Sequence, residues 1–387
     1  MSQNKWVKRR HKGIFAFFRG IFRIHTKIKY NFTAEKSSLK GPFLLLCNHV
    51  TTFDPVFAAL SFKCPIYFCA MDDLFNMKVV SPILRYMVAP IPKKKSSTDT
   101  TAIRSCLRVL REGGAVGVFP EGNRILSGSQ WPMEDALAKF VKISKVPLVV
   151  YNIEGGYGSD PRWGVSKRKG KMYGRIRLVL QPDEYKSMPI DELFKLICDS
   201  LRVDDMTSGV KFKSNKRAEN IERVLYMCPH CSAVSSIRSK GNKFRCTACG
   251  KEWEYTEDLH IVPNDKFSVI SEWHDWEQNE IIRLALSQNT DVFDDKNIEL
   301  YDSIRFKKKQ RISGDRITAN AERFRIYGED GIKEFPISEI DGIALVRRNR
   351  FDFYHKGVTY QVRGDERFCS VKYVHLCEGI KKASRQD

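Results

Sequence analysis

Two apolar runs in this chain stop abruptly at polar clusters, and both stops have the character of strand ends. Phe43-Leu44-Leu45-Leu46-Cys47 passes directly into Asn48-His49-Val50-Thr51-Thr52-Phe53-Asp54-Pro55. Further on, Gly113-Gly114-Ala115-Val116-Gly117-Val118-Phe119 passes into Pro120-Glu121-Gly122-Asn123-Arg124. Each run has the length of a buried strand, and Pro120 and Gly122 break the second where charge appears. The chain therefore places its reactive side chains where strands leave the sheet.

At the first stop, a histidine and an aspartate flank four residues of a strand-to-helix exit. An imidazole whose second nitrogen is held by a carboxylate has a fixed tautomer, and its other nitrogen can take a proton from a hydroxyl. No serine or cysteine elbow lies beside it, so the nucleophile expected is a substrate alcohol. A structural histidine next to a helix-capping carboxylate has the same spacing, and the eight residues alone do not separate the two.

Taken together, Asn48-His49-x4-Asp54 and Phe119-Pro120-Glu121-Gly122-x-Arg124 resemble the first and third motifs of the glycerolipid acyltransferase family, which includes the 1-acylglycerol-3-phosphate acyltransferases. Ala89-Pro90-Ile91-Pro92-Lys93-Lys94-Lys95 resembles the second motif, with lysines in place of the family's arginine. Lysine keeps the charge but lacks the planar fork that grips a phosphate with two parallel hydrogen bonds. A solvated loop is the alternative for that lysine run. Val146-Pro147-Leu148-Val149-Val150-Tyr151 resembles the fourth motif, with Val150 where a second proline is common, and Asn123 and Ile125 replace the usual threonine and serine of the third. The resemblance covers roughly residues 35 to 200.

That resemblance implies an α/β fold, a mixed sheet flanked by helices, that moves a fatty acyl group from acyl-CoA or acyl carrier protein to the hydroxyl of a lysophospholipid. The acceptor expected is 1-acylglycerol 3-phosphate, in phospholipid biosynthesis. His49 is then the base and Asp54 its orienter. The resemblance assigns Glu121, Gly122 and Arg124 to acceptor binding, with Lys94 or Lys95 meeting the phosphate. A catalytically degenerate lipid-binding scaffold is the competing reading.

The 387 residues carry a net charge of +20, which implies an anionic partner. Its distribution points to a membrane surface. Residues 1 to 30 hold Lys5, Lys8, Arg9, Arg10, Lys12, Arg19, Arg23, Lys27 and Lys29 and no acid, mixed with Trp6, Ile14, Phe15, Phe17, Phe18, Ile21, Phe22 and Ile24. Basic and large apolar residues at helical spacing read as an interfacial helix. Phe15, Phe18 and Phe22 form one expected apolar face, which either enters lipid or packs on the catalytic core. No stretch approaches the roughly 18 apolar residues of a spanning helix, and no cleavable leader is evident.

Eleven cysteines fall into two groups. Cys228-Pro229-His230-Cys231 and Cys246-Thr247-Ala248-Cys249-Gly250 are two Cys-x2-Cys knuckles fourteen residues apart, the spacing of a four-cysteine zinc ribbon. His230 reads as a bystander, Gly250 as the residue that lets the second turn close. Two disulfides are the alternative. The remaining cysteines show no disulfide framework, which implies a reducing cytoplasm and a protein peripheral to the inner membrane face. A zinc ribbon on a basic chain also admits a nucleic-acid-binding reading, which leaves both strand-end motifs unexplained; nucleic acid is not the expected partner.

The expected domains are a basic interfacial segment (1–30), the acyltransferase domain (31–205), a linker (206–225), the zinc ribbon (226–256), whose partner is unknown, and a β-rich C-terminal domain (260–387). In the last, a helix over Ser268 to Leu286 precedes four expected strands within 323–362 and a closing helix over Ser370 to Ile380. This is the pattern of a small barrel of the pleckstrin-homology or GRAM kind.

Overall fold

A computed structural model describes residues 5–71, 80–93, 99–288, 290–303, 309–312 and 314–385. They form two compact units. The first runs to Pro161 and resumes with Lys169–Phe212; the second takes Arg162–Arg168 and everything from Lys213 onward.

The first unit is a mixed α/β structure. Helix α1 (Arg9–Tyr30) precedes strands β1 (Phe32–Ala34), β2 (Leu44–Cys47), β3 (Ile66–Met71), β4 (Ile91–Lys93), β5 (Ala115–Val118), β6 (Leu148–Glu154) and β7 (Met172–Leu180). Between and after them lie α2 (Asp54–Ala59), α3 (Val80–Met87), α4 (Thr100–Arg111), α5 (Ala136–Ser144), α6 (Gly156–Ser159), α7 (Pro182–Lys186) and α8 (Ile190–Leu201). The seven strands pair in the order β1-β7-β6-β2-β5-β3-β4. Every pairing is parallel except β6 with β7. Parallel strands covered on both faces are apolar without alternation, and β2 follows that rule: Leu44, Leu45, Leu46 and Cys47 are all fully buried. Both polar clusters of the sequence follow adjacent parallel strands, β2 and β5, so they emerge at the same edge of the sheet.

Helix α1 presents two apolar faces. Phe15, Phe18 and Phe22 are half-buried, whereas Phe17, Ile21, Ile24 and Ile28 are 68%, 50%, 65% and 81% exposed. Of the two uses open to Phe15, Phe18 and Phe22, the fold favours packing.

The second unit begins where a linker was expected. The boundary falls after Phe212, inside the expected segment, but the chain beyond it is packed: Ala218, Ile221, Val224 and Leu225 are completely buried. Charged neighbours concealed their role, because Arg217, Glu222 and Arg223 are themselves buried and bonded. A four-stranded antiparallel sheet follows, β8 (Ile237–Lys240), β9 (Lys243–Cys246), β10 (Glu252–Tyr255) and β11 (Ile261–Val262). Then comes α9 (Ile270–Ser287).

Nine further strands form two antiparallel sheets before the closing helix α10 (Val371–Ala383). One orders β12 (Phe293–Lys296), β15 (Arg316–Ala319), β16 (Arg323–Gly328) and β17 (Gly331–Pro336); the other orders β14 (Gln310–Ile312), β13 (Glu299–Ser303), β20 (Val358–Arg363), β19 (Arg350–His355) and β18 (Ile340–Val346). Tyr373 of α10 reaches both, its ring 5.8 Å from Phe324 and 5.1 Å from Phe351. Strands β12 to β15 and β17 were not anticipated, because short strands exposed on one face carry charges at every second position and read as loops.

Residues 162–168 leave the first unit between β6 and β7 and belong to the second. Trp163 is fully buried there. The Arg168 guanidinium lies 5.0 Å from its ring centre and 5.1 Å from that of Tyr255, Arg223 Nη1 donates to the Trp163 carbonyl at 3.0 Å, and Arg168 Nη2 donates to the Arg217 carbonyl at 2.7 Å.

Candidate active site

Asp54 opens α2 and is fully buried, and its carboxylate is saturated with donors. Its Oδ2 accepts the Val50 N–H at 2.7 Å, Oδ1 accepts the Thr51 hydroxyl at 2.7 Å, and the Thr51 N–H reaches both oxygens. His49 Nδ1 meets the same Oδ2 at 2.7 Å. A carboxylate held by this many donors is fixed in place, and its bond to Nδ1 sets the imidazole tautomer.

The imidazole is also fixed in plane. It stacks on Phe119 with centroids 4.4 Å apart, and Phe119 stacks on Phe68 at 5.4 Å. With 23% of its side chain exposed, His49 remains open to a substrate.

The two polar segments lock together through backbone groups. Glu121 Oε1 accepts the His49 N–H at 3.1 Å, and the Ile125 N–H donates to the His49 carbonyl at 2.7 Å. Glu121 Oε2 accepts the Trp131 N–H at 3.3 Å, while Trp131 Nε1 donates to the Arg124 carbonyl at 2.9 Å. Gly122 turns the loop at φ +67°, a left-handed conformation that side chains resist. Arg124 Nη1 donates to Thr52 Oγ1 at 3.3 Å. Burial drives the Glu121 carboxyl up to about 8, against the two N–H donors that favour its ionised form, with Asp54 adding to the rise.

His49, Asp54, Glu121, Gly122 and Arg124 thus share one strand-end site. Lys94 and Lys95 lie outside the described residues; Lys93 closes β4, at the sheet edge and separated from β2 by β3 and β5. Four supporting residues were not singled out from sequence. Thr51 and Phe119 lie inside the motifs, but nothing in their identity announced a bond to Asp54 or a stack on His49. Asn48 ties the motif to β6 through both amide atoms, Nδ2 to the Ile153 carbonyl at 3.0 Å and Oδ1 from its N–H at 2.8 Å. Trp131 had no sequence signal.

Residues 24–154 match the Acyltransferase family model. That stretch is about a third of the chain and contains the whole strand-end site. Across 123 residues the chain is 26% identical to a 1-acyl-sn-glycerol-3-phosphate acyltransferase of Borreliella burgdorferi, covering 31% of this chain and 49% of that protein. It is 23% identical over 171 residues to the enzyme of the same name from Bacillus subtilis, covering 44% and 82%. A probable 1-acyl-sn-glycerol-3-phosphate acyltransferase of Mycoplasma genitalium is 26% identical over 129 residues, covering 32% and 48%. The chain therefore spans about half the length of two of these three relatives. Among solved structures, the 1-acyl-sn-glycerophosphate acyltransferase PlsC of Thermotoga maritima superposes at a TM-score of 0.40 with 20% identity, covering 49% of this chain and 78% of that one.

The second unit holds a different constellation. The sulfurs of Cys228, Cys231, Cys246 and Cys249 all lie within 4.8 Å of one another. Cys228 Sγ is 3.8 Å from Cys249 Sγ, and Cys231 Sγ is 3.7 Å from Cys246 Sγ. Four sulfurs held at about 2.3 Å from one ion stand about 3.8 Å apart along each tetrahedral edge, whereas a disulfide needs about 2.05 Å. Backbone N–H groups of His230 and Cys231 serve the Cys228 sulfur, and those of Ala248 and Cys249 serve Cys246. Gly250 closes the second knuckle at φ +77°. His230 stands aside from the cluster, with Nε2 3.1 Å from Asp265.

Proposed function

We propose that this protein transfers a fatty acyl group from a thioester, carried by coenzyme A or acyl carrier protein, to the hydroxyl of a lysophospholipid, with 1-acylglycerol 3-phosphate the favoured acceptor. The observation that carries the reading is the His49–Asp54 pair, held at a strand end inside a segment that matches the acyltransferase family. With Nδ1 bonded to Asp54, Nε2 of His49 takes the proton of the acceptor hydroxyl as its oxygen attacks the thioester carbonyl. The tetrahedral intermediate then collapses, and the departing thiolate recovers the proton from Nε2. Asp54 stabilises the imidazolium formed in between.

Arg124 meets the acceptor phosphate, with Lys94 or Lys95. Glu121, with both oxygens engaged by backbone donors, acts by holding the loop that presents Arg124 to the acceptor, and Gly122 by turning it. The exposed stripe of Phe17, Ile21, Ile24 and Ile28, flanked by Lys12, Arg23, Lys27 and Lys29, seats the protein on the anionic inner face of a membrane. No helix of the described residues is long and apolar enough to cross one. The four-cysteine cluster holds one structural zinc ion, since protein fills every coordination position and none is left for substrate.

The test is an assay of the purified chain against a panel of lysophospholipids with labelled acyl-CoA and acyl carrier protein. His49→Ala should lower turnover by about 10²–10⁴-fold without unfolding the protein, and near-normal turnover by a folded variant would refute the assignment. Arg124→Ala should hurt phosphate-bearing acceptors more than uncharged ones; equal losses on both would make Arg124 structural.

A further inference from the structure

Helix α9 buries a carboxylate for which neither the acyl-transfer site nor the four cysteines account. Glu277 is 0% exposed, and its Oε2 accepts two backbone N–H groups, that of Tyr226 at 2.8 Å and that of Met227 at 3.1 Å. One turn earlier, Trp273 Nε1 donates to the Met227 carbonyl at 2.8 Å. Both polar backbone atoms of Met227, the residue before Cys228, are therefore held by side chains of α9.

The support behind Glu277 is equally specific. His274 Nδ1 lies 3.2 Å from Glu277 Oε1 and 2.9 Å from the Val224 carbonyl, and the Tyr226 hydroxyl lies 3.2 Å from the Glu277 carbonyl and 3.0 Å from His375 Nδ1 on α10. Trp273 also reaches the opposite half of the cysteine cluster. Its ring packs on Trp253 at 5.0 Å and on Phe244 at 5.9 Å, and Phe244 is two residues before Cys246 on β9.

We infer that α9 is part of the metal site: Glu277 and Trp273 are positioning residues that hold the backbone leading into Cys228 at a fixed distance from the strand that carries Cys246. The inference rests on the proposed zinc ion. Two N–H groups that no strand pairs must find an acceptor when buried, or their desolvation goes uncompensated. A carboxylate from a neighbouring helix supplies it, and a helix is a stiffer support than the turn it braces. The knuckles thereby start near the tetrahedral arrangement, and ion affinity depends on residues about 50 positions away in sequence. Metal binding and the folding of the second unit are coupled through this helix.

Cobalt(II) replaces zinc as a spectroscopic probe, with the full chain titrated and its thiolate charge-transfer and ligand-field bands recorded. The parent should take up about one ion per chain with a tetrahedral tetrathiolate spectrum. Glu277→Leu, which offers neither N–H an acceptor, should weaken cobalt and zinc binding by about 10–100-fold and reduce the tetrahedral band intensity at saturation. Trp273→Phe keeps an aromatic ring but loses the bond to Met227, and serves the same test should Glu277→Leu not fold. Glu280→Gln, on the same helix but paired with Arg283, should change nothing. Unaltered affinity and spectrum in the folded Glu277 and Trp273 variants would overturn the inference and leave the zinc site standing. A parent chain that binds neither cobalt nor zinc would remove the zinc site itself.

Discussion

The two units solve the problem of a stable interior in opposite ways. The first hides Leu44, Leu45, Leu46, Val116, Leu148, Val149 and Val150 at the centre of its sheet, and its working polar groups, Asp54 and Glu121, sit where strands end. The second hides Glu222, His274, Glu277, Lys372 and His375, each within a hydrogen-bonded network. A deep apolar core tolerates chemistry at its rim. An interior that holds charged groups relies on satisfied polar networks, which makes each partner harder to lose.

Metal removal should separate the units most sharply. Structural zinc sites contribute on the order of 10–16 kcal/mol, so a chelator, or Cys246→Ser, should abolish the thermal transition and protease resistance of the second unit. The transition of the first should persist. A single joint transition lost on chelation would erase the contrast.

Trp163→Ala tests the segment that crosses between them in sequence. Truncating a fully buried tryptophan typically costs about 3–5 kcal/mol, and the loss should appear in the second unit, although Trp163 lies between two strands of the first. Denaturant unfolding followed by separate probes of each unit would detect the opposite assignment.

A smaller effect concerns pH. Glu121 is raised from its ordinary 4.5 to about 8, chiefly by burial. The unfolded chain ionises first, so the stability from neutral Glu121 is complete below about 4.5 and is lost as pH rises towards about 8. Glu121→Gln should flatten the fall in first-unit stability across that window, and an unchanged slope would show that Glu121 is ionised in the fold.

The smallest stability effect should come from the exposed face of α1. Ile21→Ser with Ile24→Ser should alter stability by no more than about 0.5 kcal/mol, yet release the chain from anionic vesicles. Phe18→Ser, on the half-buried face, should destabilise the first unit instead. Flotation of the Ile21/Ile24 variant equal to that of the parent would move the membrane contact elsewhere.

The contact between His49 and Asp54 was legible because it is local: a strand exit brings residues five apart together without help from the rest of the fold. The knuckles were legible for the same reason, each being a turn closed on itself. Glu121 was singled out from sequence, but its bond to the His49 N–H was not, since it spans 72 residues. Thr51, Phe119 and Trp131 gave no advance sign, because any hydroxyl, ring or indole is compatible with many neighbours. The burial of the residues around Arg223 was not legible, because charge usually means solvent and here charge is buried with partners.

By itself, then, the sequence determined the apolar strands, the polar residues at their ends and the four thiols with tetrahedral spacing, all set by short-range order along the chain. Tertiary structure decided which face of α1 is covered, that Trp163 belongs to the second unit, and that α9 braces the backbone leading into Cys228. These depend on pairing groups distant in sequence. A buried N–H, ring or carboxylate takes its partner from what packing brings within reach, and residue type alone does not specify that neighbour.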